Sequence, residues 1–520
     1  MRQPWQRIAK WIVVAAVLFG SVGDGKAQEM SRDQKWCSGL DGGSVDQQIS
    51  GCTAMIESGR EPTENRALAL NNRASAYQRK GDLDRAIADY DQALRLSPKD
   101  ARVFYNRGSL FQMKGDDDRA IQDYDQALRL NPKDPRALNN RGNVYQRKGA
   151  TDRAIADYDQ ALRLDATNAD AFFNRGQAYQ SKGDDSRAIQ DYDQALRLNP
   201  KDASALYNRG NAYANTGDVD RALQDYDQAI ALNPKNASAF YNRGNAYQRK
   251  GDDDRAIRDY DQAIQLSPQH ARAFNARGSA YLAKRDYDRA IQDYDQALRI
   301  NPQDESAFYN RGNAYQRKGD TDRAIQSYDQ AIKLDPQDAN ALTSRGAAYG
   351  KKGQADRAIQ DLDQAIRLDP KNASAFNNRG VVYQRKGDTA RALQDYDQAI
   401  RLNPQDASSW SNRCWLRAVA GELDPALADC NESLRLRPSD AQTLDDRAFV
   451  YLKSGRLDSA VSDYDAALRL DAKMASSLYG RGLAKQKLGD AKGAAADIAA
   501  AKAIKPDIEN TFNSFGIQLR

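Results

Sequence analysis

The sequence predicts an all-α solenoid of thirteen tandem helix–turn–helix units, and three observations carry that expectation. A glycine recurs every 34 residues from Gly81 to Gly251 and again from Gly319 to Gly489, with Arg285 as the one interruption. Fixed self-similarity at such a period marks an array in which each unit stacks on the next. Within each period, an apolar, a small and an aromatic residue fall at i, i+4 and i+7, and the pattern then repeats, which is the spacing of two amphipathic helices. Composition agrees: the hydrophobic fraction is 40% and much of it is alanine, so little can be buried at any one place.

The units run 67–100, 101–134 and onward to 475–508, with positions numbered as slots 1 to 34 in each. In the unit at 237–270, slots 4, 8 and 11 are Phe240, Gly244 and Tyr247, and slots 20, 24 and 27 are Ala256, Tyr260 and Ala263. Gly251 is placed to end the first helix, since glycine takes a left-handed backbone at little cost. Asp252–Asp254 offer cap oxygens and negative charge where the second helix begins. Ser267-Pro268 stops it, because proline cannot continue a helix. Asp or Asn at slot 34 (Asp100, Asn236, Asp304) caps the next unit. Alanine fills slot 20 in all thirteen units and glycine fills slot 8 in ten, so the two helices can approach closely.

Outside the repeats lie residues 1–27, 28–66 and 509–520. A basic start (Arg2, Arg7, Lys10) precedes the apolar run Trp11–Gly20, and Gly25-Lys26-Ala27 offers small residues for a signal peptidase. Residues 1–27 are therefore expected to be an export signal cleaved after Ala27, with an uncleaved anchor as the alternative. The run is too short for an ordinary membrane span, and no membrane span is expected after cleavage. Residues 28–66 are expected to form a degenerate helical N-cap and 509–520 a C-terminal cap. Of the formal charge of +5, +3 lies in the first 27 residues, so the remainder is nearly balanced. That balance gives no case for a nucleic-acid-binding surface.

The pattern apolar-x-x-x-Gly-x-x-Tyr, Ala-x-x-x-Tyr-x-x-Ala, then Pro, at 34 spacing over 67–508, resembles the tetratricopeptide repeat. Departures cluster in the last three units: Cys414 and Ala448 stand for the slot-8 glycine, Arg417 and Lys485 for the slot-11 aromatic, Cys430 and Ile498 for the slot-24 tyrosine. The resemblance implies a right-handed superhelix whose first helices line a concave groove, and it implies binding of a protein or peptide partner.

Nothing in the chain suggests catalysis. The sole histidine, His270, stands at slot 34, where Asp or Asn usually caps a helix, and is expected to do the same. There is no phosphate-binding loop, no Cys-x-x-Cys and no His-Glu-x-x-His. No cofactor is expected. The four cysteines form two pairs of similar spacing, Cys37/Cys52 and Cys414/Cys430, the second at slots 8 and 24 of one unit. An exported chain favours disulfides in both, buried free thiols being the alternative.

Two residue rows bear on function. Asparagine fills slot 6 in nine units: Asn72, Asn106, Asn140, Asn174, Asn208, Asn242, Asn310, Asn378 and Asn412. Slot 9 adds Asn143, Asn211, Asn245 and Asn313, and slots 12 and 13 often carry Gln-Arg. An amide side chain both donates and accepts, so a row of them suits an extended peptide backbone of any sequence. Members of the resembled family that clamp a terminal carboxylate add lysines at slots 2 and 5. Slot 5 here has none, which argues against that mode.

Slot 7 is arginine in all thirteen units, beside the packing stripe, and is expected to pair with the aspartates of slot 23 or 25, slot 23 being the better candidate, with heads that snorkel to water as the alternative. A competing reading of the charges is intrahelical pairing, such as Arg119–Asp123 and Asp125–Arg129. The function expected is an exported scaffold, periplasmic or secreted, that binds extended peptide segments. The alternative is a structural spacer, or an array that self-associates through its ends.

Overall fold

The computed structural model describes residues 30–517, so the expected leader at 1–27 lies outside the described residues. All regular structure among these residues is helical, in twenty-nine helices. Two short helices, Arg32–Ser38 and Val45–Glu57, precede thirteen helical hairpins, and the helix Ile508–Ser514 follows them. The first hairpin opens early, its first helix running Thr63–Lys80.

The local signals act as the sequence suggests. The first helix of repeat 5 spans Ala203–Thr216 and ends at Gly217, whose φ of 87° lets the Gly217 and Asp218 amides close back on Ala214 and Tyr213. Asp218 then caps the second helix, Val219–Leu232, by accepting from the Arg221 amide. At slot 34, Asp202 and Asn236 accept from the first amides of the helices that follow them. His270 does the same, its Nδ1 accepting from the Ala273 amide at 3.1 Å.

Close approach of the two helices rests on slots 8, 20 and 24. A Cβ on Gly142 would lie 2.6 Å from the Tyr158 ring, and one on Gly210 would lie 2.8 Å from that of Tyr226. Glycine gives the slot-24 phenol its room across the first helix in these repeats, while in repeats 1 and 12 Ala74 and Ala448 stand at slot 8 with Tyr90 and Tyr464 still buried. The slot-20 alanines, such as Ala154 and Ala222, are fully buried beneath the phenol.

The described residues divide into two compact units, one up to Lys250 and one from Gly251 on. In each unit the first helices of successive repeats touch one another, while the second helices do not. First helices therefore occupy the inner side of each unit. No helix among the described residues is long and apolar enough to cross a membrane.

Arg285, where other repeats have glycine, holds φ at +62°, the one non-glycine residue with positive φ among those described. An L-residue in this region carries a steric penalty that glycine lacks. Arg285→Gly should stabilise repeat 7 by about 1 kcal/mol. Amide hydrogen exchange over residues 271–304 would read the gain, and unchanged protection would contradict this account.

Candidate functional site

The slot-7 arginines do not reach into solvent. Arg209 donates through Nε and Nη2 to the two oxygens of Asp225 at 2.8 and 2.7 Å, and through Nη1 to Asp193 at 2.6 Å. Asp225 is slot 23 of the same repeat, and Asp193 is slot 25 of the repeat before. The same fork is made by Arg107, Arg141, Arg175, Arg277, Arg345, Arg379, Arg413 and Arg481. Both acidic rows are used, one within and one between repeats. Only a guanidinium supplies three donors in the plane this needs.

Where an aspartate is missing, a neutral acceptor stands in. Ser327 Oγ accepts from Arg311, and Asn431 Oδ1 accepts from Arg447. The intrahelical pairing expected for Arg119 and Asp123 is not what forms. Asp123 is held by Arg107, and Arg119 turns back to the cap residue Asp116. The buried slot-23 carboxylate is the stronger attractor for the arginine that can reach it in bidentate fashion.

Burial divides the ladder unequally. The Asp225 side chain is 4% exposed and that of Asp193 is 42% exposed. Burial pushes the carboxyls of Asp123, Asp191 and Asp293 above their ordinary value, against the pull of their arginines. Hydrogen bonds to Asp191, Asp225 and Asp293 in turn hold Arg175, Arg209 and Arg277 above theirs.

The slot-6 asparagines lie beside this ladder on the first helices and are all half-buried. Six of them donate an amide N–H to slot 5 of the preceding repeat: Asn106 to Asn71, Asn140 to Tyr105, Asn174 to Asn139, Asn242 to Tyr207, Asn310 to Asn275 and Asn412 to Asn377, at 2.9 to 3.1 Å. Asn72 donates to the Cys37 carbonyl. Asn208 makes no such bond, because Phe173 at the preceding slot 5 has no acceptor. Asn378 makes none either, as the Thr343 hydroxyl there is taken up by the Ala339 carbonyl and the Asn372 amide.

Two further rows serve the scaffold. Slot 9, expected to face the groove, instead meets the slot-24 tyrosines: Asn143, Asn211 and Asn313 accept from Tyr158, Tyr226 and Tyr328. A buried phenol needs an acceptor, and this slot is the nearest polar position. At slot 13, Arg147, Arg249 and Arg385 donate to Gln112, Ala214 and Gly350, carbonyls at the end of the preceding first helix. Sequence reasoning missed both uses, which depend on inter-helix register.

Cys37 and Cys52 are buried between the first two helices at disulfide distance, their Cα atoms 4.5 Å apart. Cys414 and Cys430 are also at disulfide distance, Cα to Cα 5.3 Å, where other repeats put glycine against tyrosine. Among the described residues no cluster of His, Cys, Asp or Glu is placed to hold a metal ion.

A family model described as TPR repeat matches residues 147–183, 181–217, 210–251, 278–319, 317–353 and 349–387. Others described as tetratricopeptide repeat match 71–135 and 446–507, 237–270 and 373–406, and 123–156. No curated protein matches the sequence. Among solved structures, the chain is similar to the APC/C hetero-tetramer Cut9–Hcn1, at 17% identity over 88% of this chain and 96% of that one, with a TM-score of 0.44. It is similar to YrrB, a TPR protein with an unusual peptide-binding site, at 27% identity over 35% of this chain and 95% of that one, with a TM-score of 0.31. Yeast Tom70 is 17% identical over 79% of this chain and 99% of its own, with a TM-score of 0.38.

The ladder makes a sharp energetic statement. Arg209→Met leaves the buried Asp225 carboxylate unpaired and should cost repeat 5 about 3–5 kcal/mol. Arg209→Met with Asp225→Leu removes both charges and should recover most of the loss. Hydrogen exchange over residues 203–236 measures each. A double variant as unstable as the single one would mean that Asp225 is not the reason.

Proposed function

From the premise that the chain carries tetratricopeptide repeats, the architecture of protein–protein interaction scaffolds, we propose that it is an exported scaffold holding extended peptide segments along its first helices. The observation that carries the reading is the orientation of the asparagine row. One N–H of each Nδ2 goes to the preceding repeat, while the Oδ1 atoms of Asn106, Asn140, Asn174, Asn310 and Asn412 have no partner among the described residues. A regularly spaced row of amide acceptors suits the N–H groups of an extended backbone, which project at regular intervals whatever the side chains.

Asn208 and Asn378 separate binding from folding, because neither makes an inter-repeat bond. Replacing both by Ala should leave stability nearly unchanged and weaken peptide binding by about 1 kcal/mol each. Retention of fluorescent chain on an array of unstructured peptides provides the measure, with N-methylated copies as controls for backbone recognition. If no peptide is retained, or the double variant binds as the parent does, the groove reading gives way to the spacer reading.

Export is supported by the basic and apolar start of the sequence and by the two cysteine pairs at disulfide distance. Each pair would close a loop of 15 or 16 residues and contribute about 3 kcal/mol in the chain-entropy model. Mass spectrometry of alkylated, non-reduced protein isolated from its native compartment should find all four cysteines blocked as two bridges, and a chain that begins after Ala27. Four alkylated thiols would place the protein in a reducing compartment instead.

A further inference from the structure

The slot-24 tyrosines follow a rule that one of them breaks. Tyr90, Tyr158 and Tyr226 share hydrogen bonds with slot 9, Tyr124 and Tyr192 with slot 12, and each of the remaining slot-24 tyrosines but one also has a partner. Tyr464 of repeat 12 has none. Its hydroxyl is fully buried and unpartnered, because slots 9 and 12 of its repeat have become Phe449 and Leu452. The hydroxyl instead lies against Gly480, where any Cβ would collide with it.

Two more changes occur at the same point. Slots 5 and 6 of repeat 12, elsewhere mostly aromatic or amide, are Asp445 and Asp446, 5% and 2% exposed. Their partners are neutral: Ser477 for Asp445, and Gln442 and Ser411 for Asp446. Neither has a lysine or arginine within ion-pair reach among the described residues, whereas the buried slot-23 aspartates have an arginine each. Burial pushes the Asp445 carboxyl up to about 6, and burial beside Asp445 pushes Asp446 well above the usual range. Asp445 is thus held in the fold by neutral partners alone, with no cation within ion-pair reach among the described residues.

Asp445 and Tyr464 line a cavity of about 330 Å³, walled by Trp415, Phe449, Phe512 and Phe515. The last two come from the helix Ile508–Ser514 and the residue that follows it, folded back so that Phe515 meets Trp415 and Phe449 at 5.3 and 5.7 Å between ring centroids. Lys505 also lines the cavity; it is exposed, and its ammonium donates to Thr511 at 3.2 Å. An acid without a cationic partner and aromatic faces in one cavity together match a cation on an apolar stem: ion pair and cation–π contact.

We propose that the cavity closed by the C-terminal helix is a binding site for a protonated primary amine on a short apolar stem. Asp445 takes the charge, and the aromatic walls hold the stem. The amine could be carried by a free small molecule or by a lysine side chain of a partner, and the site goes beyond the groove reading, which does not use repeat 12.

The test is calorimetric titration of the full chain with benzylamine, benzyl alcohol and Nα-acetyl-lysine-N-methylamide. Benzylamine should bind one to one, and the isosteric alcohol should bind at least tenfold more weakly. Asp445→Asn should abolish binding while circular dichroism stays unchanged. Tyr464→Phe, which removes only a buried and unpartnered oxygen, should leave thermal stability undiminished and amine binding unchanged, so that loss of binding in Asp445→Asn reads the acid alone. Saturation by the lysine derivative would assign the site to a partner's side chain, and saturation by benzylamine alone to a free amine. The Asn208→Ala/Asn378→Ala chain should bind amine as the parent does, so failure of the groove reading leaves this test intact. No saturable binding of either amine, or binding unaltered by Asp445→Asn, overturns the proposal.

Discussion

The arginine at slot 7 is the constraint on which the remaining features of each repeat depend. It has to reach two carboxylates on two different second helices, and it can do so only from a first helix held close to both. That closeness is what slots 8, 20 and 24 supply. Glycine at slot 8 admits the tyrosine ring, and alanine at slot 20 leaves no bulk between the helices. The energetics follow from the burial of the partners. A slot-23 pair is buried, bidentate and costly to break, though weak as a net source of stability once desolvation is counted. A slot-25 pair is half-exposed and worth at most about 1 kcal/mol. The ladder thus fixes the geometry within a repeat firmly and couples it to the neighbouring repeat lightly.

Light coupling has a consequence for a linear array. Stability in a solenoid is roughly the sum of repeat terms and nearest-neighbour terms, with no long-range closure to enforce a shape. Besides apolar packing, the neighbour terms here come from the half-exposed slot-25 pairs, the slot-6 amides donating to slot 5, and the slot-13 arginines donating to the carbonyls of the preceding helix. Each is a single hydrogen bond or exposed pair, small alone and repeated many times. The rest of the coupling is apolar, as where Leu128 packs on Ala137 and Leu138, and Leu196 on Ala205 and Leu206, of the repeat that follows.

The helices and their ends were legible in the sequence because periodicity, glycine and aspartate report local backbone geometry directly. Gly217, Asp218 and Ser267 stand where the pattern places them, and even His270 caps as its slot demands. The arginine ladder was legible too, since a charge repeated beside a packing stripe must find a counter-charge of equal period. What the pattern could not give was the partner of each polar side chain across helices. Slot 9 falls on the same helical arc as slot 5, yet its asparagine turns to the tyrosine hydroxyl and not to the groove. Likewise the slot-6 amide is half consumed by the repeat before it, which depends on an inter-helix offset of one slot. An asparagine bonded in this way keeps its Oδ1 acceptor and one N–H, fewer groups than the sequence pattern alone suggests.

Repeat 12 shows how far identity at a slot depends on its neighbours. Phenylalanine at slot 9 would be unremarked in isolation, as would leucine at slot 12, glycine at slot 6 of the next repeat, or an acid at slot 5. Together they strip the partners from one phenol, leave two buried carboxylates without a cation, and place aromatic rings where an array end has to be covered. A solenoid terminus needs its packing face sealed, and Ile508 and Phe512 do that by apolar packing, a role that calls for no acid beneath them. Leucine or alanine at 445 and 446 would complete such a cap at lower electrostatic cost, because an uncompensated buried carboxylate is among the more expensive groups a fold can carry. Capping therefore accounts for the aromatic residues but not for the acids Asp445 and Asp446 or for the unpartnered hydroxyl of Tyr464, whose burial opposes stability.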